Sequence, residues 1–284
     1  MNKIVMLMPV LMLDNNRKAN NAALDYALEH YPVDKIIIND QEFKDYDYRD
    51  DERIQYIGRH PERRGFAKAR NDLLRWFYNS DYDWAVWMDG NAKVTKTTLN
   101  DFVTVTEAIK AGEVEVDAVI STLGILLSEP RMHARQAKDH LENVKLVKVG
   151  PIDHAWMHGL FMKNFKKEYG MEVYIHEDCD PRKGLSEDVY FVQLVKRLFE
   201  VRLCPTIVVS KPTNKTSTWV ADKAGYKYPP VDWETVSRMV KSAEYEPRPR
   251  RNLKDTYILP RVKYMKDKVT VYKPRNKKQR GGLL

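Results

Sequence analysis

Three acidic segments of this 284-residue chain could carry chemistry. Asp89-Gly90-Asn91 directly follows the apolar run Trp84 to Met88, and Asp40 follows a second, shorter apolar run. Glu187-Asp188 opens an amphipathic segment. A carboxylate and an amide at a strand end can bind a divalent cation that bridges two phosphates. A carboxylate near that cation can act as a general base. Each segment also has an ordinary structural explanation, because Asp-Gly-Asn is common in turns and acids are favoured at the amino ends of helices.

The surrounding elements decide how these segments are positioned. Apolar runs of strand length alternate with amphipathic segments, which is typical of a mostly parallel, Rossmann-like sheet flanked by helices. Polar residues at the carboxyl ends of such strands surround the crevice where these sheets bind ligands. The predicted strands are Ile4 to Met8, Lys35 to Asn39, Trp84 to Met88, Asp117 to Thr122, Ala155 to Met162 and Cys204 to Val209. The predicted helices begin at Asp14, Phe66, Leu99 and Glu187.

The order of the motifs along the chain is more specific than any single motif. Strand one is followed by Ile38-Asn39-Asp40, then by Arg64 to Asn71, and then by the strand that ends at Asp89-Gly90-Asn91. His158-Gly159-Leu160 and Ser186-Glu187-Asp188 come later. This order resembles the GT-A glycosyltransferases, particularly the inverting family-2 type, over roughly residues 1 to 210. The resemblance implies an α/β GT-A domain and transfer of a hexosyl or pentosyl group from a UDP-sugar.

The resemblance also implies a role for individual residues. Asp40 would contact the nucleobase, Asp89 and Asn91 would hold Mn²⁺ or Mg²⁺ against the diphosphate, and Asp188, beside Glu187, would be the catalytic base. The remaining residues implied at the nucleotide-sugar site are Pro9, Arg64, Gly65, Arg70, Asn71, Gly90, His158 and Gly159. The candidates for acceptor contacts are Trp156, Lys211, Lys215, Arg250 and Arg251.

The chain departs from the family pattern at the cation site. The second Asp of the Asp-x-Asp motif is Asn91 here, and an amide can coordinate through its oxygen but supplies no charge. Many relatives use a histidine after the Glu-Asp helix as a third ligand, whereas this sequence has no histidine after His176. Lys211, Lys215 or a hydroxyl among residues 213 to 218 could contact the phosphates instead.

The positive charge of the chain is concentrated near its carboxyl end. Residues 248 to 284 contain thirteen Lys and Arg against two acids, a net of +11, so the other residues carry −3 of the total of +8. Tyr257, Tyr264 and Tyr272 lie among these cations, a combination expected where phosphates are neutralised and bases are stacked. A solvated arm is the alternative interpretation. We therefore predict a GT-A domain over residues 1 to 246 and a basic C-terminal arm over residues 247 to 284.

The charge distribution bears on the acceptor, for which two classes stay open. One is a hydroxymethylated or already glycosylated base in double-stranded DNA, the substrate of virus-encoded DNA glycosyltransferases. The other is a surface glycan or lipid-linked sugar, with the arm on an anionic membrane surface. A non-catalytic nucleic-acid-binding protein on a degenerate transferase fold is a third hypothesis, which the retained acidic motifs disfavour.

Composition and local sequence patterns limit which cellular compartment and which classes of enzyme are expected. Two cysteines are too few for a disulfide framework, which favours a reducing compartment. The apolar run near the amino end lacks a small-residue cleavage site, and no later run has the length of a membrane span, so we expect a cytoplasmic protein. The run from Pro9 to Lys18 lacks glycine, which argues against a nucleotidyltransferase or a dinucleotide-binding enzyme. The chain after Val209 is too short for the second lobe of a GT-B transferase.

Overall fold

The computed structural model describes residues 1–10, 14–40, 51–59, 65–126, 143–148, 156–211, 229–246, 256–265 and 268–271. Its helices are α1 Asp14–His30, α2 Phe66–Tyr78, α3 Leu99–Ala111, α4 Phe165–Tyr169, α5 Glu187–Leu198 and α6 Trp233–Ser242. Its strands are β1 Ile4–Val10, β2 Lys35–Asp40, β3 Ile54–Arg59, β4 Trp84–Trp87, β5 Lys93–Val94, β6 Val119–Leu126, β7 Asn143–Lys148, β8 Trp156–Lys163, β9 Val201–Lys211, β10 Thr256–Pro260, β11 Val262–Met265 and β12 Lys268–Val271. The strands and helices expected from the periodicity up to β9 are confirmed.

One large mixed sheet organises these elements. Its strand order is β10-β7-β9-β6-β8-β4-β1-β2-β3, and β5 pairs with β9 beside this path. The half made of β3, β2, β1 and β4 is parallel throughout. Strand β8 runs antiparallel to β4 and β6 on either side, while β6 and β9 are parallel. The carboxyl ends of β1, β2 and β4 therefore share one edge, at which the predicted nucleotide residues lie.

Helices cover both faces of the sheet, which explains why β1 is apolar at almost every position. Ile4, Met6 and Met8 face a core that includes residues of α1 and α3, whereas Val5 and Leu7 face a core built from α2, α5 and α6. Side chains alternate between the faces of a strand, so a strand covered on both sides reads as a continuous apolar run. The residues of both cores are buried from solvent.

The segment predicted as a basic arm begins as part of the sheet. Strand β10 pairs antiparallel with β7, and β11 forms a hairpin with β12. The Arg261 guanidinium binds both carboxylate oxygens of Asp101 on α3, at 2.7 and 3.0 Å. The backbone N–H of Val262 donates to the Thr104 hydroxyl at 2.9 Å. Residues 256 to 262 are thus docked on the domain, whereas residues 272 to 284 lie outside the described part.

Both cysteines of the chain lie within the described residues. Cys179 and Cys204 are buried free thiols. None of the helices in the described residues is long and apolar enough to cross a membrane. Helix α6 was not expected from the sequence, and it packs Val236 and Val240 against the core beside α5.

Candidate functional site

The end of β4 is tied to the end of β1 beyond the last regular ladder pair. The N–H of Met88 donates to the carbonyl of Leu7 at 3.0 Å, and the N–H of Gly90 donates to the carbonyl of Pro9 at 3.1 Å. A Cβ atom on Gly90 would lie 2.9 Å from Cγ2 of Val10, so only glycine permits this approach. Asp89 is consequently fixed at the carboxyl edge of the sheet, where its side chain is partly exposed.

Arg70, in the first turns of α2, lies at the centre of the site. It is only 3% exposed. One of its terminal nitrogens lies 3.3 Å from Oδ1 of Asp89, and the other lies 3.7 Å from Oε1 of Glu187 and contacts Asp188. The same nitrogen donates to the sulfur of Met157 at 2.9 Å. A guanidinium stays protonated in proteins, and its burial requires such counter-charges.

His158 forms a second connection between the same carboxylates. Its Nδ1 lies 3.2 Å from Oδ1 of Asp89, and its Nε2 lies 3.7 Å from Oδ2 of Asp188. Asp89 follows β4, whereas Asp188 lies in the first turn of α5. Arg70 and His158 therefore both bridge the end of the sheet and the start of a helix that is almost a hundred positions away in sequence.

A bulge in β8 brings His158 to this position. Ile120 pairs with Phe161, but Thr122, only two residues further along β6, pairs with Trp156, so β8 contains extra residues around His158 and Gly159. Gly159 has a φ of 73°, and a Cβ atom there would lie 2.4 Å from Oγ1 of Thr122. Bulges of this kind redirect side chains and occur often beside active sites. The glycine in the middle of the predicted strand was the sequence signal for it.

Glu187 and Asp188 differ in their access to solvent. The Asp188 side chain is 28% exposed, whereas that of Glu187 is 8% exposed. Asp188 is therefore the carboxylate of this pair that a substrate can approach more easily.

Cys179 lies near Glu187 but is unsuited to be a nucleophile. Burial, followed by the nearby Glu187 carboxylate, raises the pKa of Cys179 to about 12. That thiol is therefore protonated at neutral pH.

Some residues predicted for the site have other partners or lie outside the described side chains. The Asn71 amide is buried and is bonded to both backbone groups of Ile175, at 2.7 and 2.9 Å, so it holds a loop beside the site. Gly65 is the residue before α2, with a φ of 91°. The described residues do not include Arg64, Lys215, Arg250 or Arg251, and the side chains of Asp40, Trp156 and Lys211 are likewise outside the described part.

The charge and the donor atoms of the site are compatible with a divalent cation. Asp89, Glu187 and Asp188 against Arg70 give a formal charge of −2, and protonation of His158 would leave −1, so an added diphosphate would meet net repulsion in either case. Asp89 and Asn91 offer oxygen atoms, and Mg²⁺ is commonly bound by one or two carboxylates together with substrate phosphates. No group of three His, Cys, Asp or Glu side chains suited to a metal occurs in the described part of the chain.

The chain resembles solved structures in fold, although its sequence matches no protein-family model and no curated protein. S. aureus TarS (1-349) in complex with UDP-GlcNAc superposes with a TM-score of 0.58 at 14% identity, covering 86% of this chain and 68% of TarS (1-349). TarS (1-349) without that ligand gives 0.56 at 13% identity, covering 86% and 67%.

A mannosyltransferase from Pyrobaculum calidifontis in complex with GDP-Man and Mn²⁺ superposes less well, with a TM-score of 0.48 at 16% identity, covering 85% of this chain and 70% of that enzyme. The structural neighbours are GT-A glycosyltransferases. Together with the mostly parallel sheet flanked by helices, the TarS superposition shows that this chain has the GT-A fold.

Proposed function

We propose that this protein is a glycosyltransferase that moves a sugar from a UDP-sugar to an acceptor hydroxyl. The observation that carries the proposal is the convergence of Asp89, Asp188, Arg70 and His158 at the carboxyl edge of a GT-A sheet. That edge is where open α/β sheets bind their ligands. The TarS structure with the same fold contains UDP-GlcNAc, which supports a UDP-sugar as the donor.

The donor would bind beside Asp89. Asp89 and Asn91 would hold Mn²⁺ or Mg²⁺, and the bound ion would neutralise charge on the diphosphate as it departs. Pro9, at the end of β1, and Asp40, at the end of β2, would line the nucleotide, with Gly65 and the start of α2 beside them. The net negative charge of the site is the reason for expecting donor and cation to bind together.

Asp188 would be the base. The acceptor oxygen attacks the anomeric carbon, its proton passes to the Asp188 carboxylate, and the bond from that carbon to the diphosphate oxygen breaks with its electron pair leaving on UDP. Attack from the side opposite the diphosphate inverts the anomeric centre. The greater exposure of Asp188 compared with Glu187 supports this assignment. Glu187 would instead hold Arg70 in place.

For the acceptor we propose a hydroxyl on a modified base of duplex DNA. The support is the net charge of +11 over residues 248 to 284, because cations that neutralise phosphates supply most of the affinity for a nucleic-acid backbone. Arg261 is already committed to Asp101, so other cations of the arm would have to contact the DNA. Trp156, Lys211, Lys215, Arg250 and Arg251 remain the proposed acceptor contacts.

The proposal is tested by incubating the protein with a panel of UDP-sugars and Mn²⁺ and measuring the UDP released. The acceptor arms are hydroxymethylated duplex DNA, unmodified duplex DNA and a glycan mixture, and a chelator arm tests the cation. We expect UDP release with at least one sugar, enhanced by hydroxymethylated DNA. Release enhanced only by glycans would overturn the DNA acceptor alone. DNA binding without UDP binding or release would indicate the non-catalytic alternative.

A further inference from the structure

We propose that His158 is a positioning residue that fixes Asp188, the proposed base, relative to Asp89, the carboxylate on the donor side. Each ring nitrogen has a separate task. Nδ1 would position Asp89 for the donor, and Nε2 would position Asp188 for the acceptor hydroxyl. The inference rests on the proposed glycosyltransferase function. It extends that function because the resemblance to the family placed His158 only near the nucleotide-sugar and gave it no link to the base.

The backbone at His158 leaves its side chain little freedom. The Thr122 hydroxyl donates to the carbonyl of His158 at 2.9 Å. The next residue, Gly159, is packed so closely that an added Cβ atom would lie 2.7 Å from Cγ2 of Val209 as well as against Thr122. The imidazole itself is 8% exposed. Because the backbone is held at two points and the ring is buried, the imidazole has little room to move toward its partners.

Each ring nitrogen contacts a carboxylate with a different proposed role, one toward the donor and one toward the acceptor. Nδ1 is 3.2 Å from Asp89, and Nε2 is 3.7 Å from Asp188. The imidazole is rigid, so its nitrogens set a fixed relation between the two carboxylates. Arg70 touches the same pair but also Glu187 and Met157, and its longer side chain allows more adjustment. His158 therefore fixes the relative position of the two carboxylates more tightly than Arg70 does.

Amide side chains can separate the two tasks. The side-chain nitrogen of Asn occupies nearly the position of Nδ1, and that of Gln nearly the position of Nε2. His158→Asn thus retains a donor toward Asp89 and loses the one toward Asp188, while His158→Gln does the reverse. Both amides are neutral, so any loss that arises only from the charge of the ring is the same in the two variants.

We expect the two variants to lose different properties, kcat in one and UDP affinity in the other. His158→Asn should bind UDP with Mn²⁺ within about 3-fold of the wild type but should lose at least ~10-fold in kcat, because small misplacements of a reacting group cost large factors. His158→Gln should weaken UDP binding by at least ~5-fold while kcat at saturating donor stays within about 3-fold. UDP affinity is measured by calorimetry and requires no acceptor. His176→Asn, at an exposed histidine, is the matched control.

The outcomes distinguish this inference from the function on which it rests. A wild-type protein that neither binds UDP nor transfers sugar removes the function itself. If the wild type is active but both variants lose UDP affinity and kcat in parallel, or neither loses anything, the division of tasks is wrong. Melting temperatures are recorded for each variant. Should either variant fail to fold, ¹⁵N spectra of the wild-type ring decide, with UDP and Mg²⁺ expected to shift Nδ1 and Asp188→Asn expected to shift Nε2. A spectrum unchanged at both nitrogens overturns the proposal.

Discussion

Arg70 lies 3.3 Å from Oδ1 of Asp89 and at the same time contacts Asp188, so one buried guanidinium joins the carboxylate proposed to face the donor to the proposed base. Because Arg70 carries a single charge against three carboxylates, it cannot neutralise the site alone. The remaining negative charge is what a cation bound with the donor would offset. Asp89, the carboxylate beside the proposed diphosphate position, is therefore the residue most directly tested by donor binding.

Asp89→Ala should weaken UDP binding in the presence of Mn²⁺ by at least ~10-fold, because it removes the charged ligand that would link the cation to the protein. Calorimetry with and without Mn²⁺ measures the effect. Asp72→Ala is a matched control, since it removes another carboxylate that pairs with an arginine of α2, Arg75, at 2.9 Å. UDP binding that needs no metal and is unchanged in Asp89→Ala would rule out the cation assignment.

Asp188→Asn should retain UDP-sugar binding and lower transfer by a factor of at least about 10². The amide keeps the shape of the side chain but cannot accept the proton. Steady-state transfer at saturating donor gives kcat, and calorimetry gives the donor affinity. Glu187→Gln provides the comparison within the pair, and a larger loss of kcat there would reverse the assignment of the base.

Gly159→Ala should lower the free energy of unfolding by about 2–4 kcal/mol, because the new methyl group meets Thr122 and Val209 and the backbone has a positive φ. Gly112→Ala separates the two causes. Its φ of 74° is almost the same as that of Gly159, but nothing lies within 4 Å of the added atom, so its cost should be only about 1 kcal/mol. Denaturant unfolding of both variants measures the difference, and equal costs would show that the packing around the bulge is not tight.

Truncation after Val271 should weaken binding to duplex DNA and flatten its salt dependence, leaving UDP affinity nearly unchanged. Residues 272 to 284 contain five Lys and Arg, and each phosphate that they no longer neutralise should reduce the slope of log affinity against log salt by about 0.9. Cutting at residue 248 would be less informative, because it also removes β10 and the ion pair of Arg261 with Asp101. Unchanged DNA affinity and slope in a stable truncated protein would favour the glycan acceptor.

The six strands and four helices predicted within the first 210 residues each have a strong local signal, whereas β3, β5, β7 and α4 were not predicted. Helix α2 begins and ends where the apolar period of Phe66 to Tyr78 places it. Strands β1 and β4 are apolar runs bounded by polar residues. The acids at the ends of β4 and at the start of α5 were predicted for the same reason, since their sequence positions locate them at the edge of the sheet.

Interactions between distant segments could not be predicted in this way. No local pattern indicates that Arg70 faces three acids from two other elements. Nor does any indicate that the Asn71 amide forms hydrogen bonds with the backbone of Ile175. Helix α6 was not predicted, and two prolines, Pro229 and Pro230, precede it in the sequence. In the structure they precede Asp232, whose side chain caps the helix by accepting from the N–H of Thr235 at 3.0 Å.

Strand β10 comes after every other strand of the main sheet along the chain, yet its partner β7 lies more than a hundred positions earlier. During synthesis the amino-terminal part of the chain is available first. The parallel half of the sheet can therefore assemble while β7 still has an unpaired edge. The free N–H and C=O groups of an unpaired edge strand can pair with another chain. Newly made protein should be most prone to self-association in the interval before residues 256 to 260 leave the ribosome.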